Sequence, residues 1–270
     1  MANKMVFKRY ELKYLMDKEQ TKAVYDAIDD HMTLDRYGHS SIRNIYLDTD
    51  NFHLIRRSLE KPEYKEKLRF RCYGDADSDS EIFVELKKKY KGIVYKRRLE
   101  MPLDQAMRWF TTDTAEHPQT QIGEEIDYLR TRYPGIHPKM YLSYEREAYC
   151  PNDDRDLRIT IDSNIRARLD DVDLTSCPGG HEVLPTGTTL MEVKTMYGYP
   201  QWLLKVLDEN SLYKTSFSKC GRAYEQMVLA PRYATGHGIP ALCIGTSDAA
   251  VKAINDHDRH ILAAGAYQSA

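Results

Sequence analysis

Several segments of the chain place Lys or Arg at every second position, the spacing that puts basic side chains on one face of a β-strand. Lys67, Arg69 and Arg71 alternate with Leu68, Phe70 and Cys72, and Glu85, Lys87 and Lys89 alternate with Val84 and Leu86. Lys96 and Arg98 interleave with Tyr95, Arg97 and Leu99. Tyr144 shares a face with Arg146, and Arg158 with Thr160 and Asp162. Glu192 and Lys194 stand opposite Met191 and Val193, while Arg9, Glu11 and Lys13 stand opposite Tyr10, Leu12 and Tyr14. A charged face on one strand ordinarily points at water. Its recurrence with a cationic bias needs another reason, because 39 Lys+Arg against 41 Asp+Glu leave a net charge of only −2 over 270 residues. Positive charge is concentrated on the strands, and the compensating acids lie at Asp29-Asp30, Asp75–Glu81, Asp153–Asp156 and Asp170–Asp173. Arg forks and Lys point charges brought together from separate strands suit a linear phosphate chain.

The elements that must position these residues can be read from periodicity and punctuation. A long strand is expected over Lys4–Met16, then a helix opened by the capping pair Asp17 and Gln20 with Val24, Ala27 and Ile28 on its apolar stripe. Strands are expected at Ser41–Leu47, Glu66–Tyr73, Glu81–Tyr90 and Ile93–Met101, the last two joined as a hairpin at Lys91-Gly92. Helices follow after Pro102 and near Ile122–Arg132, and strands resume at Met140–Cys150, Leu157–Ile165 and Thr188–Thr195. The stretch Val172–Gly187 lacks periodicity and reads as an exposed loop. Pro200 suits the first turn of a helix carrying Trp202, Leu203, Val206 and Leu207, and a further helix is expected over Ser218–Leu229. About eight strands without βα alternation predict an antiparallel sheet, closed or nearly so. Its apolar faces either fill the middle or pack outward on the helices and leave a charged lumen; the number of amphipathic helices favours the second. Residues 1–230 form the expected domain and 231–270 an appendage of weak pattern.

Composition and missing motifs narrow the chemistry. The charge balance excludes a wholly basic nucleic-acid binder, and no nucleic acid is expected as partner. No apolar run approaches the ~20 residues that span a bilayer, and the cysteines form no CxxC pair, so a cytoplasmic protein is expected. GxxxxGK[ST], GxGxxG, GxSxG and HExxH are all missing. The acidic run at Asp75–Glu81 imitates a calcium loop, but Ser80 stands where glycine is required and Leu86 where the bidentate Glu belongs. Asp48 reads as a turn or helix cap.

At the residues of the cationic strands the sequence resembles a known family. Arg9-x-Glu11-x-Lys13, Ile45–Leu54 (IYLDTDNFHL), Leu68–Gly74 (LRFRCYG), Phe83–Lys87 (FVELK), Tyr144–Tyr149 (YEREAY), Leu157–Asp162 (LRITID), Met191–Lys194 (MEVK) and Phe217–Gly221 (FSKCG) occur in the order seen in VTC domains. These are the catalytic domains of vacuolar transporter chaperone polyphosphate polymerases, within the triphosphate tunnel metalloenzyme, or CYTH-like, superfamily. The resemblance spans residues 4 to 230. It implies an α+β fold, an eight-stranded antiparallel closed tunnel with a charged lumen flanked by helices, and a need for Mn2+ or Mg2+. It further implies that Lys13, Arg69, Arg71, Lys87, Lys96, Arg146 and Lys219 grip phosphate oxygens and that Tyr144 and Ser218 add hydrogen bonds. Glu192, with Glu11, would hold the metal, and Arg98, Arg158 and Lys194 would line the tunnel.

The superfamily's hydrolases resemble one another in a Glu-x-Glu-x-Lys first strand, and here the first of these positions is Arg9. Exchanging an acid for a cation weakens activation of water and strengthens polyanion binding. The resemblance therefore implies transfer of the ATP γ-phosphate to a polyphosphate chain, with ATP or another nucleoside triphosphate and inorganic polyphosphate as partners. A triphosphatase and a non-catalytic polyphosphate-binding module are the alternatives. Eukaryotic VTC polymerases act beside membrane-spanning and phosphate-sensing SPX portions that this chain lacks, so the expectation is either a separate membrane partner or free action on soluble polyphosphate.

Overall fold

The computed structural model describes residues 10–91, 93–112, 117–153 and 156–231. The chain divides into two compact units, 1–221 and 222–270. Within the second, residues 222–231 end a helix begun at Lys219 and form the π-helical turn Glu225–Leu229, in which Val228 and Leu229 are buried. All but the first residue of the expected appendage 231–270 lies outside the described residues, as do Arg9 and the start of the expected first strand.

The first unit is built on one antiparallel sheet. Its strands are β1 (Tyr10–Met16), β2 (Met32–Asp48), β3 (Tyr64–Tyr73), β4 (Glu81–Tyr90), β5 (Ile93–Pro102), β6 (His137–Pro151), β7 (Leu157–Arg168), β8 (His181–Glu182) and β9 (Thr189–Thr195). They are ordered β1-β9-β7-β6-β2-β3-β4-β5, with the two-residue β8 beside β7. The helices are α1 (Lys18–His31), α2 (His53–Leu59), α3 (Leu103–Thr111), α4 (Gln121–Arg132), α5 (Gln201–Glu209) and α6 (Lys219–Tyr224).

The fold is α+β and antiparallel, but the sheet is not closed by hydrogen bonds. Among the described residues the end strands β1 and β5 share no ladder. The outer edge of β1 is instead met by Thr215, whose N–H donates to the Lys13 carbonyl at 2.8 Å in an isolated bridge. The segment leading into α6 thus works as a strap where a closed barrel would have a strand.

The apolar sides of the strands pack outward on helices. Leu68, Phe70, Val84 and Leu86 join Ala106, Trp109, Phe110, Ile126 and Leu129 of α3 and α4 in one cluster. Ile159, Ile161, Met191 and Val193 join Val24, Ile28, Leu203 and Leu207 of α1 and α5 in another. Of the two arrangements open to the sequence, the structure adopts the one with apolar faces outward. Because side chains alternate along a strand, every basic residue between those apolar positions must face the other way, into the concave side of the sheet.

Local signals account for the element ends. The capping box is present, with the Gln20 N–H donating to Asp17 Oδ1 at 2.9 Å and Asp17 N–H donating back to Gln20 Oε1 at 3.0 Å. Asp48 accepts from the Leu54 and Ile55 N–H groups, each at 2.9 Å, and so caps α2, a helix without a sequence signal of its own. The β4–β5 hairpin turns through Lys91 at φ 47°, pairing Tyr90 with Ile93. Two expectations need correction. β2 begins at Met32, well before Ser41, with a register shift between Leu34 and His39. The stretch 172–187 is not a plain exposed loop: it contains β8, Leu174 and Val183 are fully buried, and Arg43 donates to the carbonyls of Leu174 and Ser176 at 3.3 Å.

Candidate functional site

The concave face carries two clusters, each organised around buried carboxylates. The first lies on β3, β4 and β5, where register aligns Arg69, Glu85 and Arg98 in one cross-strand row. Glu85 is 2% exposed. Arg69 donates to its Oε2 through Nε at 2.9 Å and Nη2 at 2.7 Å, and Arg98 donates to Oε1 at 2.9 and 2.5 Å. Lys96 reaches the same Oε1 at 2.6 Å, and Arg71 stands 3.9 Å from Oε2. Burial alone raises a carboxyl's pKa, but Arg69, Arg71 and Lys96 overwhelm that cost and hold Glu85 well below the usual carboxylate range. Arg71 continues the network inward, donating to Asn44 Oδ1 at 2.9 Å and to the Tyr144 hydroxyl at 3.0 Å.

The second cluster lies on β1, β6, β7, β9 and α6. Glu192 faces Lys13 across β9–β1 and Thr160 across β9–β7. Its Oε1 accepts from Lys13 at 3.0 Å and Lys219 at 3.2 Å, and its Oε2 lies 3.4 Å from Lys194 and 3.5 Å from Arg146. Asp162, with no exposure, accepts a forked pair from Arg146 at 2.6 and 2.7 Å and the Lys219 ammonium at 2.5 Å. Burial works against ionisation of both acids, but Lys219 first, then Lys13 for Glu192 and Arg146 for Asp162, keep their pKa values low. The Tyr144 ring lies 4.6 Å from Lys219 Nζ, and although burial opposes its ionisation, Arg146, Arg71 and Lys219 draw the phenol's pKa down.

The two clusters look at one another. Lys87, on β4, and Glu11, on β1, lie near opposite ends of the strand order. Burial raises the Glu11 pKa, but Lys87 and Lys194 outweigh it, so the sheet curls enough for its distant strands to share a field. Lys87 remains accessible to water and makes no ion pair with the described residues.

The strap supplies the other wall. Ser218 Oγ accepts from Lys67 Nζ at 3.0 Å, and Cys220 Sγ is 3.1 Å from the same ammonium. The Gly221 N–H donates to Ser218 Oγ at 3.2 Å, and a Cβ at Gly221 would meet the Leu59 side chain at 2.7 Å, so Leu59 would have to shift to admit one.

Of the residues singled out by sequence, Lys13, Arg69, Arg71, Lys87, Lys96, Arg98, Tyr144, Arg146, Glu192, Lys194, Ser218, Lys219 and Glu11 converge on this face. Arg158 shares the face in register opposite Lys194, but its guanidinium pairs with Asp35 of β2, away from both clusters. Sequence reasoning assigned no role to Glu85, Asp162 or Lys67, although all three stood in the alternating runs. Their roles come from cross-strand register, which a single strand does not display.

Among the described residues no three or more His, Cys, Asp or Glu side chains form a metal cage. Glu11 and Glu192 nevertheless converge on the Lys13 ammonium, at 3.7 and 3.0 Å, so the site already seats one cation between two carboxylates. A magnesium-like ion fits such a donor set, since it is commonly held by one or two carboxylates together with substrate phosphates. Among the described residues no helix is long and apolar enough to cross a membrane.

Comparison with known proteins adds three findings. A family model described as the VTC domain matches residues 8–228. No curated protein sequence matches the chain. Solved structures similar to it include one from Bacillus halodurans described as a candidate adenylate cyclase, with 16% identity, TM-score 0.49, and coverage of 81% of this chain and 96% of that one. The PH1819 protein of Pyrococcus horikoshii OT3 is similar too, with 16% identity, TM-score 0.41, and coverage of 83% and 98%.

Proposed function

The chain belongs to the VTC domain family, and from that premise we propose that it is a metal-dependent phosphotransferase moving the ATP γ-phosphate onto inorganic polyphosphate within the concave basic face. The observation that carries the reading is the excess of Lys and Arg over carboxylates there, gathered from β1, β3, β4, β5, β6, β9 and α6 in a protein of nearly zero net charge. Self-repelling cations on a half-buried surface require counter-charge, and a polyphosphate supplies it in a shape that fits a groove between strands.

Phosphoryl transfer needs positioning and charge neutralisation more than covalent help from the protein. Arg69, Arg71 and Arg146 present fixed guanidinium forks, and Lys87 and Lys219 add point charges. Glu85 and Asp162 keep the forks oriented in the absence of ligand, so little reorganisation is needed when phosphate arrives. Tyr144, held by Arg71, adds a hydroxyl to the same wall. Glu192 and Glu11 would hold the divalent ion, which would supply counter-charge to the phosphate beside them. The terminal phosphate of a growing chain is already largely ionised at neutral pH, so no dedicated general base is required. Arg9, where the superfamily's hydrolases resemble one another in a Glu, favours this reading over water attack.

The test is product analysis after incubation with ATP and Mn2+. A ladder of phosphate chains is expected; orthophosphate alone would establish the triphosphatase alternative. The Arg69→Ala/Arg71→Ala variant should lose product by about a hundredfold or more, the scale of removing positioned charge from a transition state. Unchanged turnover in that variant would remove the site assignment.

A further inference from the structure

Register along β3, β4 and β5 places lysines directly opposite one another beyond the Glu85 row. Lys67 faces Lys87, and Lys87 faces Lys96. In the next row on the same face, Lys65 stands opposite Lys89, with Val94 beyond it. At about 3.4 Å per residue, these rows lie about 7 and 14 Å from the Glu85 row, toward the hairpin end. Like charges directly opposite on a sheet are destabilising, and the first row has only limited compensation. Lys96 reaches Glu85, whereas Lys67 rests on the Ser218 hydroxyl and the Cys220 sulfur. In the second row Lys65 donates to the Ser58 carbonyl at 3.0 Å, and Lys89 forms no ion pair with the described residues. The nearby carboxylates are engaged elsewhere: Glu63 with Lys91, and Glu66 with Tyr64 and Tyr133.

We infer that these lysine rows form a track for the distal units of a linear inorganic polyphosphate, so that the polymer leaves the site along β3 and β4 toward the β4–β5 hairpin. The inference rests on the phosphate-binding reading above and adds a direction to it. A triphosphate held between the Glu85 and Glu192 clusters leaves Lys65 and Lys89 unused; a longer chain occupies them. Crowding fits this use. Burial first, then Lys67 and Lys89, lower the Lys65 pKa to about 8, a cost that an anion beside it would relieve.

The experiment compares binding of sodium tripolyphosphate and of long-chain polyphosphate to the full chain and to its Lys65→Met/Lys89→Met variant. Methionine keeps the apolar stem and removes the charge. Long-chain affinity should fall about tenfold, and the slope of log affinity against log salt should flatten by about one per lysine, as for phosphate contacts in other polyanions. Tripolyphosphate affinity should stay within about twofold, and Lys65→Arg/Lys89→Arg should restore long-chain binding. Retained tripolyphosphate binding with unaltered long-chain affinity in the methionine variant would overturn the track alone. Failure of the unaltered protein to bind either probe would overturn the site reading, and the track with it.

Discussion

The two carboxylate clusters solve the same problem in different ways. Around Glu85 a single acid serves Arg69, Arg71, Lys96 and Arg98, and the last two keep 45% and 39% of their side chains exposed. Around Glu192 a second acid, Asp162, joins in, and Lys219 and Asp162 are almost wholly sealed, at 9% and no exposure. The first cluster is under-neutralised and wet, and so ready for an anion. The second is closer to balance, and Lys219 and Asp162 form its sealed heart while Lys13 and Lys194 stay partly open to water. The lesson is that buried acids can leave their cations strongly under-neutralised or nearly balanced; the number of acids and the access of water decide which.

The sharpest way to break this contrast is Asp162→Asn. It leaves Arg146 and Lys219 buried with one partner fewer, and breaking a buried pair costs about 3–5 kcal/mol. Denaturant unfolding should register that loss. A loss near zero would show that Glu192 alone suffices and that the two clusters do not differ.

Glu85→Gln should cost less, about 1–2 kcal/mol, because Lys96 and Arg98 can turn to water. Its signature lies elsewhere. The thermal shift produced by tripolyphosphate should be larger than in the unaltered protein, since the ligand would replace a missing counter-charge. An equal or smaller shift would mean that Glu85 does not compete with ligand for these cations.

Acid titration addresses both clusters together. The folded-state pKa values of Glu85, Asp162 and Glu192 lie below their unfolded values. Their stabilisation is therefore present above about pH 4 and is lost as pH falls through the folded values. Unfolding free energy should drop steeply below about pH 4, and less steeply in Asp162→Asn. A flat profile down to strong acid would show that neither cluster contributes.

The smallest effect belongs to Lys65. With its pKa lowered to about 8, it sheds charge as pH rises through that value. Long-chain polyphosphate should then bind a few-fold more weakly at pH 9 than at pH 7, beyond the tripolyphosphate trend, and Lys65→Met should flatten the difference.

Much of this arrangement is legible in the amino-acid sequence. Alternation alone places Arg69 and Arg71 opposite Leu68 and Phe70, and amphipathic helices nearby explain which face turns outward. The capping pair at Asp17 and the hairpin at Lys91 are local chemistry, so they also survive translation into structure. What could not be read depends on partners distant in sequence. Glu85 becomes a hub only because β3 and β5 flank β4 in one particular register. Arg158 leaves the clusters because β2 extends back to Asp35, past a register shift and a turn at Gly38 that interrupt its periodicity. Leu174 and Val183 are buried because Arg43 and neighbouring strands anchor a stretch whose composition resembles that of an exposed loop. The closed sheet failed for a similar reason, since nothing in the Thr215 region marks it as an edge partner for β1.

That substitution of a strap for a strand has a practical outcome. A single hydrogen bond, from the Thr215 N–H to the Lys13 carbonyl, fastens this wall to β1 where a paired strand would supply several. Thr215→Pro, which has no N–H to give, should therefore weaken tripolyphosphate binding, whereas Thr215→Ala, which keeps the N–H, should leave it near that of the unaltered protein.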